Sequence, residues 1–145
     1  MCNKSDLAVQ CFSNGFNCAQ SVFSSFCEEL DLDKETALKI SGAFGGGMGL
    51  TGEACGAVTG AYMVIGLKYG KSKSDDNAAK EKTYALVQEF SKRFKAEFGS
   101  VNCTELLKYD IGNEDEMRKA AEEGLFKSLC PRLVVRATEL VEEIL

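Results

Sequence analysis

The stretch "GAFGGGMGLTGEACGAVTG" at residues 42–60 constrains the fold most, because it holds eight of the chain's fourteen glycines. Fixing a glycine loses more backbone entropy than fixing any other residue, so such a cluster needs a structural reason. The stretch runs into residues 52–69, "GEACGAVTGAYMVIGLKY", which are apolar on almost every face up to Lys68. A helix that is apolar all round is usually buried. We therefore predict a buried, central, Gly/Ala-rich helix over 52–69.

The rest of the chain favours helices over strands. It has one proline and no long alternation of apolar and polar residues. Three segments place Asn three residues before Gln or Glu, the pattern of a capping box: "NCAQ" at 17–20, "NCTE" at 102–105 and "NEDE" at 113–116. Apolar residues at helical spacing from Tyr84 to Phe98 and from Leu133 to Ile144 are interpreted as core faces. We predict an all-α fold, a compact multi-helix bundle that forms a single domain over 1–145, with helices over 5–13, 18–30, 34–43, 52–69, 76–98, 103–109, 114–123 and 131–144.

The composition excludes several classes of binding partner and several kinds of active-site chemistry. The net charge of -5 argues against nucleic acid or an anionic membrane surface as a partner. No stretch reaches the roughly 18 apolar residues of a membrane span, and the N-terminus lacks a signal-peptide pattern. We expect a cytoplasmic protein, whose thiols stay mostly reduced. Because the chain has no histidine and no C-x-x-C pair, Cys-His catalysis, His-ligated metals and c-type haem attachment are excluded.

The glycine stretch admits three interpretations. "GMGLTG" at 47–52 matches the dinucleotide fingerprint, but the residues before it predict a helix where that motif needs a strand. The spacing of Gly52, Gly56 and Gly60 predicts a face of small residues that lets another helix come close. The third interpretation is that the glycines before the helix form the wall of a binding pocket beside Cys55. The glycines assigned to that wall are Gly45, Gly46, Gly47, Gly49 and Gly52.

Four of the seven cysteines sit at predicted helix N-termini: Cys18, Cys55, Cys103 and Cys130. Thr51 is the predicted N-cap ahead of Cys55, and Cys130 precedes Pro131, a residue that favours the first helical position. A helix N-terminus lowers the pKa of a cysteine and makes its sulfur nucleophilic or metal-binding. The other three cysteines are given no chemistry: Cys11 and Cys27 are predicted to pack in helix interiors, and Cys2 lies in the N-terminal tail.

Four motifs together carry a resemblance to a known family. They are "GFNCAQSV" at 15–22, "GAFGGGMG" followed by "GEACGAVTGAYMVIGLKYG" within 42–70, "FGSVNCTELL" at 98–107 and "GLFKSLC" at 124–130. Over nearly the whole chain the sequence resembles the C_GCAxxG_C_C family of redox-active proteins. The cysteines that define the family correspond to the four chosen above by helix position. The resemblance implies a redox role, with no reaction assigned.

These observations leave three hypotheses open. In the leading one, the protein is a thiol-dependent oxidoreductase in which Cys55 is the attacking thiolate and Cys18, Cys103 or Cys130 resolves the mixed disulfide. In the second, the same four thiolates ligate a metal, either an iron–sulfur cluster or zinc. In the third, the cysteines only pack inside a helical binding module. Glu53 is a candidate for proton transfer beside Cys55. No cofactor is assigned with certainty, the redox partner is unidentified, and the apolar faces suggest a homodimer.

Overall fold

A computed structural model describes residues 3–145, and within that range the chain forms α-helices and no β-strand, which confirms the all-α prediction. Cys2, predicted to lie in a loose tail, falls outside the described residues. A 3-10 turn at Gly42–Phe44 precedes α4. The helices are α1 (Lys4–Ser13), α2 (Cys18–Ser24), α3 (Lys34–Ser41), α4 (Gly45–Met48), α5 (Gly56–Tyr69), α6 (Asn77–Phe98), α7 (Cys103–Leu107), α8 (Glu114–Glu122) and α9 (Leu125–Ile144). None of the helices in residues 3–145 is both long and apolar enough to cross a membrane.

Helix α5 lies at the centre and packs against α2, α6 and α9. Its small residues allow α2 to approach closely. A Cβ atom added at Gly60 would lie 2.8 Å from the carbonyl oxygen of Ala19, and one added at Gly56 would lie 3.0 Å from the Ala19 nitrogen. The predicted close contact of helices at Gly56 and Gly60 is therefore confirmed, as is the buried Gly/Ala-rich helix.

The start of α5 differs from the prediction. The helix begins at Gly56, with Cys55 as its N-cap, and not at residue 52 behind a Thr51 cap. The Thr51 hydroxyl instead donates hydrogen bonds to the carbonyls of Gly47 (2.8 Å) and Met48 (2.9 Å). The backbone of residues 53–55 is held by hydrogen bonds to the segment before α7, because the Cys55 N–H donates to the Val101 carbonyl at 2.8 Å. Backbone paired in this way is extended and cannot join the helix.

Two other boundaries were wrongly predicted. Helix α9 begins at Leu125, so Cys130 lies in its second turn and is not an N-cap. Pro131 sits inside this helix, where it leaves the carbonyl of Lys127 without its usual helical donor. Lys127 is exposed, so water can supply that hydrogen bond. Helix α2 ends at Ser24, well before residue 30, and a series of turns follows it.

The apolar stripes form the core largely as predicted. Phe90 and Phe94 of α6 are fully buried, and so are Leu133 and Val141 of α9. Tyr84 was wrongly assigned to the core, because its side chain is 57% exposed. The Lys80 amino group lies 5.6 Å from the centre of the Tyr84 ring, a cation–π contact on the solvent side of α6.

The glycine cluster has an unusual backbone. From Gly46 to Leu50, five consecutive residues have φ between +64° and +71°, so this segment, which includes most of α4, is a left-handed turn and not a regular right-handed helix. A left-handed backbone costs an L-residue roughly 1–2 kcal/mol, a penalty that glycine avoids. Hydrogen bonds close the turn, since the N–H groups of Gly49 and Leu50 both donate to the Gly45 carbonyl, at 2.8 and 3.1 Å. We call residues 46–50 the left-handed turn.

Candidate functional site: a cavity shared by four cysteines

All four cysteines predicted as site residues line one cavity of about 200 Å³: Cys18, Cys55, Cys103 and Cys130. They come from α2, from the N-cap of α5, from α7 and from α9. Between them lie mainly apolar side chains, among them Phe12, Leu50, Leu107, Ile111 and Phe126. The fold therefore brings together residues that are up to 112 positions apart in the sequence.

Local capping places two of these cysteines at helix N-termini, as predicted. Asn17 caps α2 in a full capping box, where its side chain accepts a hydrogen bond from the Gln20 N–H at 2.8 Å and Gln20 returns the contact at 3.0 Å. Asn102 caps α7 by accepting from the Glu105 N–H at 3.0 Å. Cys18 and Cys103 are thus the first residues of their helices.

Backbone pairing brings Cys55 and Cys103 to the same wall. The Cys103 N–H donates to the Glu53 carbonyl at 2.6 Å, and the Cys55 N–H donates to the Val101 carbonyl. The Thr104 hydroxyl adds a third link by donating to the carbonyl of Gly52 at 2.8 Å. These bonds join the segment before α5 to the start of α7, so the two cysteines are held on a common piece of backbone.

The left-handed turn forms part of the cavity wall. Gly46 and Gly47 line the cavity, and a Cβ atom added at Gly47 would lie only 2.7 Å from the Cβ of Cys103. Gly45 instead packs against the side chain of Asn17. Three of the glycines that were predicted to form the cavity wall do not line the cavity: Gly45, Gly49 and Gly52. The close contact at Gly47 explains why this position of the wall holds a glycine.

Burial opposes the expected lowering of the cysteine pKa values. Burial raises the pKa of Cys55 to about 11, although the N–H groups of Ala57 and Val58 at the start of α5 act in the opposite direction. Burial, with the neighbouring thiols Cys55 and Cys130 and the carboxylate of Asp110, raises the pKa of Cys103 to about 12. The prediction of low pKa values at these helix N-termini was wrong, because loss of hydration outweighs the helix amides.

Cys18 and Cys130 interact directly. Both thiols line the cavity, and hydrogen bonding between them is the main cause that raises the pKa of Cys18 and lowers the pKa of Cys130. A hydrogen bond donated to a sulfur stabilises its thiolate form. Of the four thiols, Cys130 is therefore the one favoured as a thiolate, although it lies inside a helix and not at an N-terminus.

Among residues 3–145, no Asp, Glu, Lys or Arg side chain lines the cavity. Apart from the four thiols, Asn17 provides the only polar side chain that these residues contribute to the lining. That amide is already engaged, because it caps α2 and its nitrogen donates to the Gly42 carbonyl at 3.1 Å. Glu53, proposed as a proton-transfer group, is exposed and does not line the cavity.

The arrangement does not match a metal site. Within residues 3–145, no group of three or more His, Cys, Asp or Glu side chains is placed so that it could hold a metal ion. An iron–sulfur cluster or a structural zinc needs three or four such ligands around one centre. Within the described residues, the four thiols are therefore not arranged as a preformed metal site of this kind.

The sequence analysis missed the apolar part of the site. Phe126, Cys130 and Leu133 recur at spacings of four and three on α9, and all three line the cavity. That spacing puts them on one helix face and would have indicated that Cys130 points inward. The two cysteines predicted to be structural lie elsewhere: Cys27 is buried, and the Cys11 sulfur lies 3.6 Å from the Ser24 hydroxyl.

Fold and site together define a small all-α protein in which four cysteines from separate helices share one apolar cavity. A family model described as "Putative redox-active protein (C_GCAxxG_C_C)" matches residues 16–144. The chain belongs to this family, and all four cavity cysteines fall within the matched range. No curated protein and no solved structure matches the chain. Family membership supports a redox role and confirms the resemblance seen in the sequence.

Proposed function

We propose that the protein carries out thiol–disulfide redox chemistry with Cys18 and Cys130 as the reactive pair. One observation carries this proposal: Cys18 and Cys130 line the same small cavity, where each thiol is the main influence on the pKa of the other. A disulfide requires the two cysteines to lie close together, and the shared cavity brings them to one place across 112 residues of sequence.

The reaction follows from the different states of the two sulfurs. Cys130, as the thiolate, attacks one sulfur of a disulfide in another molecule, which forms a mixed disulfide and expels one thiolate. Cys18 then loses its proton and attacks the Cys130 sulfur, which releases the second thiol and leaves a Cys18–Cys130 disulfide. Starting from the Cys130 thiolate, the protein gives up two electrons and the Cys18 proton, and the acceptor disulfide becomes one thiol and one thiolate, which takes its proton from water.

Cys55 and Cys103 take a supporting role in this proposal. Their raised pKa values keep both thiols protonated at neutral pH. Protonated thiols are poor nucleophiles, so the sequence-based assignment of Cys55 as the attacking thiolate is replaced by Cys130. Both thiols still lie in the same cavity and can pack against the reacting sulfurs.

The test is oxidation of the fully reduced protein by one equivalent of diamide, followed by thiol counting and peptide mapping. We expect the loss of two thiols per chain and a Cys18–Cys130 disulfide. Cys18→Ser and Cys130→Ser should each abolish this bond, while Cys11→Ser, outside the cavity, should retain it. No loss of thiols, or a disulfide confined to Cys11 and Cys27, would contradict the proposal.

The same preparation tests the metal alternative. Before oxidation, iron and zinc are quantified in protein purified without oxygen, and its visible spectrum is recorded. We expect a colourless, metal-free protein. Iron or zinc bound in stoichiometric amount, and lost when the four cavity cysteines are changed to serine, would overturn the dithiol assignment in favour of a metal centre.

A further inference from the structure

We propose that the disulfide exchanged at this cavity belongs to a small, uncharged, apolar molecule, and not to a charged peptide or to another protein. This inference rests on the proposed thiol–disulfide function and adds the class of substrate. It is carried by the burial of the sulfurs, by the size of the cavity and by the absence of charge in its lining.

Burial restricts what can reach the sulfurs. Cys55 is 4% exposed, Cys103 and Cys130 are each 8% exposed, and Cys18 is half-buried. Exchange proceeds through a covalent mixed disulfide, so the sulfur of the substrate must come into bonding contact with the attacking sulfur. A disulfide held on the surface of a folded protein cannot enter a cavity of this kind, whereas a small molecule can.

The volume of the cavity limits the size of the substrate. A cavity of roughly 150 Å³ lined by aliphatic and aromatic side chains can bind benzene. The present cavity, of about 200 Å³, is somewhat larger. Diethyl disulfide has as many non-hydrogen atoms as benzene and fits this volume, but glutathione disulfide is several times larger.

The side chains that line the cavity determine how polar a substrate can be. In the part of the chain that the structure describes, no Asp, Glu, Lys or Arg side chain lines the cavity, and the amide of Asn17 is already hydrogen-bonded to Gln20 and Gly42. A carboxylate group that entered would lose its hydration, gain no partner and meet the like charge of the Cys130 thiolate, which is strongly unfavourable. An alkyl disulfide loses no such hydration and gains contact with Leu107, Ile111 and Phe126.

The outer wall offers a route of entry. Leu50, in the left-handed turn, lines the cavity although its side chain is 52% exposed. It therefore lies between the cavity and solvent, close to Gly46 and Ile111. An exposed side chain of this kind changes rotamer on the picosecond-to-nanosecond scale, fast enough to admit an apolar molecule.

The reaction with such a substrate balances. Cys130 attacks one sulfur of diethyl disulfide, forming the Cys130–ethyl mixed disulfide and one ethanethiolate. Cys18 displaces the second ethanethiolate and forms the Cys18–Cys130 disulfide. The Cys18 proton converts one ethanethiolate to ethanethiol and the other takes its proton from water, and the two electrons lost by the protein are those gained by the substrate.

The experiment compares the oxidation rates of the reduced protein by diethyl disulfide, by the dicarboxylate 3,3′-dithiodipropionate and by glutathione disulfide. Each rate is divided by the rate of the same reagent with a simple neutral thiol in solution, which removes differences in intrinsic reactivity. We expect the normalised rate with diethyl disulfide to exceed the other two by at least about tenfold. Equal rates, or faster oxidation by either charged disulfide, would overturn the substrate assignment.

A pair of variants tests whether the cavity itself selects against charged disulfides. Met117 of α8 is half-buried in the lining, and Met117→Lys places a positive charge there. We expect this change to reduce the preference for diethyl disulfide over the dicarboxylate, while Ala121→Lys, on the exposed face of the same helix, should leave the preference as it is. An unchanged preference in Met117→Lys would show that the cavity does not select against charge, and the inference would fail.

Failure of the substrate class and failure of the proposed function give different results. If diamide forms the Cys18–Cys130 disulfide but diethyl disulfide does not, the substrate assignment is wrong and the thiol–disulfide function stands. If neither reagent forms that bond, both proposals are wrong.

Discussion

The left-handed turn provides a sharp test of how the cavity wall is built, through the change Gly47→Ala. Gly47 has φ +68°, and an added Cβ would lie 2.7 Å from the Cβ of Cys103 and 2.7 Å from the backbone nitrogen of Glu53. Neither atom can move aside by rotating a side chain. The matched control is Gly49→Ala, where φ is +70° but the nearest atom to the added Cβ is the Ala43 carbonyl oxygen at 3.4 Å, an ordinary contact.

The difference in unfolding free energy between the two variants measures the penalty for overpacking at Gly47. Both lose roughly 1–2 kcal/mol because alanine disfavours the left-handed region. Both regain about 0.4–1 kcal/mol because the unfolded chain loses freedom. Only Gly47→Ala adds the overpacking penalty, typically about 1–3 kcal/mol. We therefore expect the free energy of unfolding to fall by about 1 kcal/mol in Gly49→Ala and by about 3 kcal/mol in Gly47→Ala.

The assay is urea unfolding followed by far-ultraviolet circular dichroism under reducing conditions, with the unfolding free energies compared at equal m-values. In the same samples, Gly47→Ala should speed alkylation of Cys103 by iodoacetamide, because the added methyl group displaces that side chain, while Gly49→Ala should not. Equal losses of stability in the two variants would show that the wall relaxes freely, which would refute the argument from close contact.

Three further predictions test the core and the thiols. Gly60→Ala should lower the free energy of unfolding by about 2 kcal/mol in urea titrations, because the added Cβ would lie 2.8 Å from a carbonyl oxygen of α2. Gly66→Ala in the same helix meets no atom within 4 Å and should raise it by about 0.5–1 kcal/mol; a loss as large as that of Gly60→Ala would contradict the packing argument. Because burial raises the pKa of Cys55 from 9.0 to about 11, the unfolded chain releases its proton first as the pH rises. The free energy of unfolding should then fall by about 3 kcal/mol between roughly pH 9 and 11, and pH-dependent unfolding should show a smaller fall in Cys55→Ala. Since the pKa of Cys130 is lowered, iodoacetamide should label it at a lower pH than Cys55 or Cys103, as measured by mass spectrometry; labelling of all three at the same pH would refute the assignment of the thiolate.

Features of the fold that depend on nearby residues could be predicted well. The N-caps at Asn17 and Asn102 were correctly identified, since a capping box involves only residues three positions apart. The close approach at Gly56 and Gly60 followed from their spacing of four on an all-round apolar helix. The beginning of α5 was misplaced, because Cys55 hydrogen-bonds to Val101, a residue far along the chain that local patterns do not reveal.

The sequence by itself determined the all-α class and the buried central helix, and it singled out the four cysteines that line the cavity, because these depend on helical periodicity, capping and short motifs. Only the tertiary structure decided how the four differ. Cys130 was expected at a helix start, yet its lowered pKa comes from Cys18, 112 residues away in the sequence. Cys55 was expected to be acidic, yet burial by distant helices raises its pKa. Proximity and loss of hydration arise from packing between elements, so they are properties of the assembled cavity and not of any one segment.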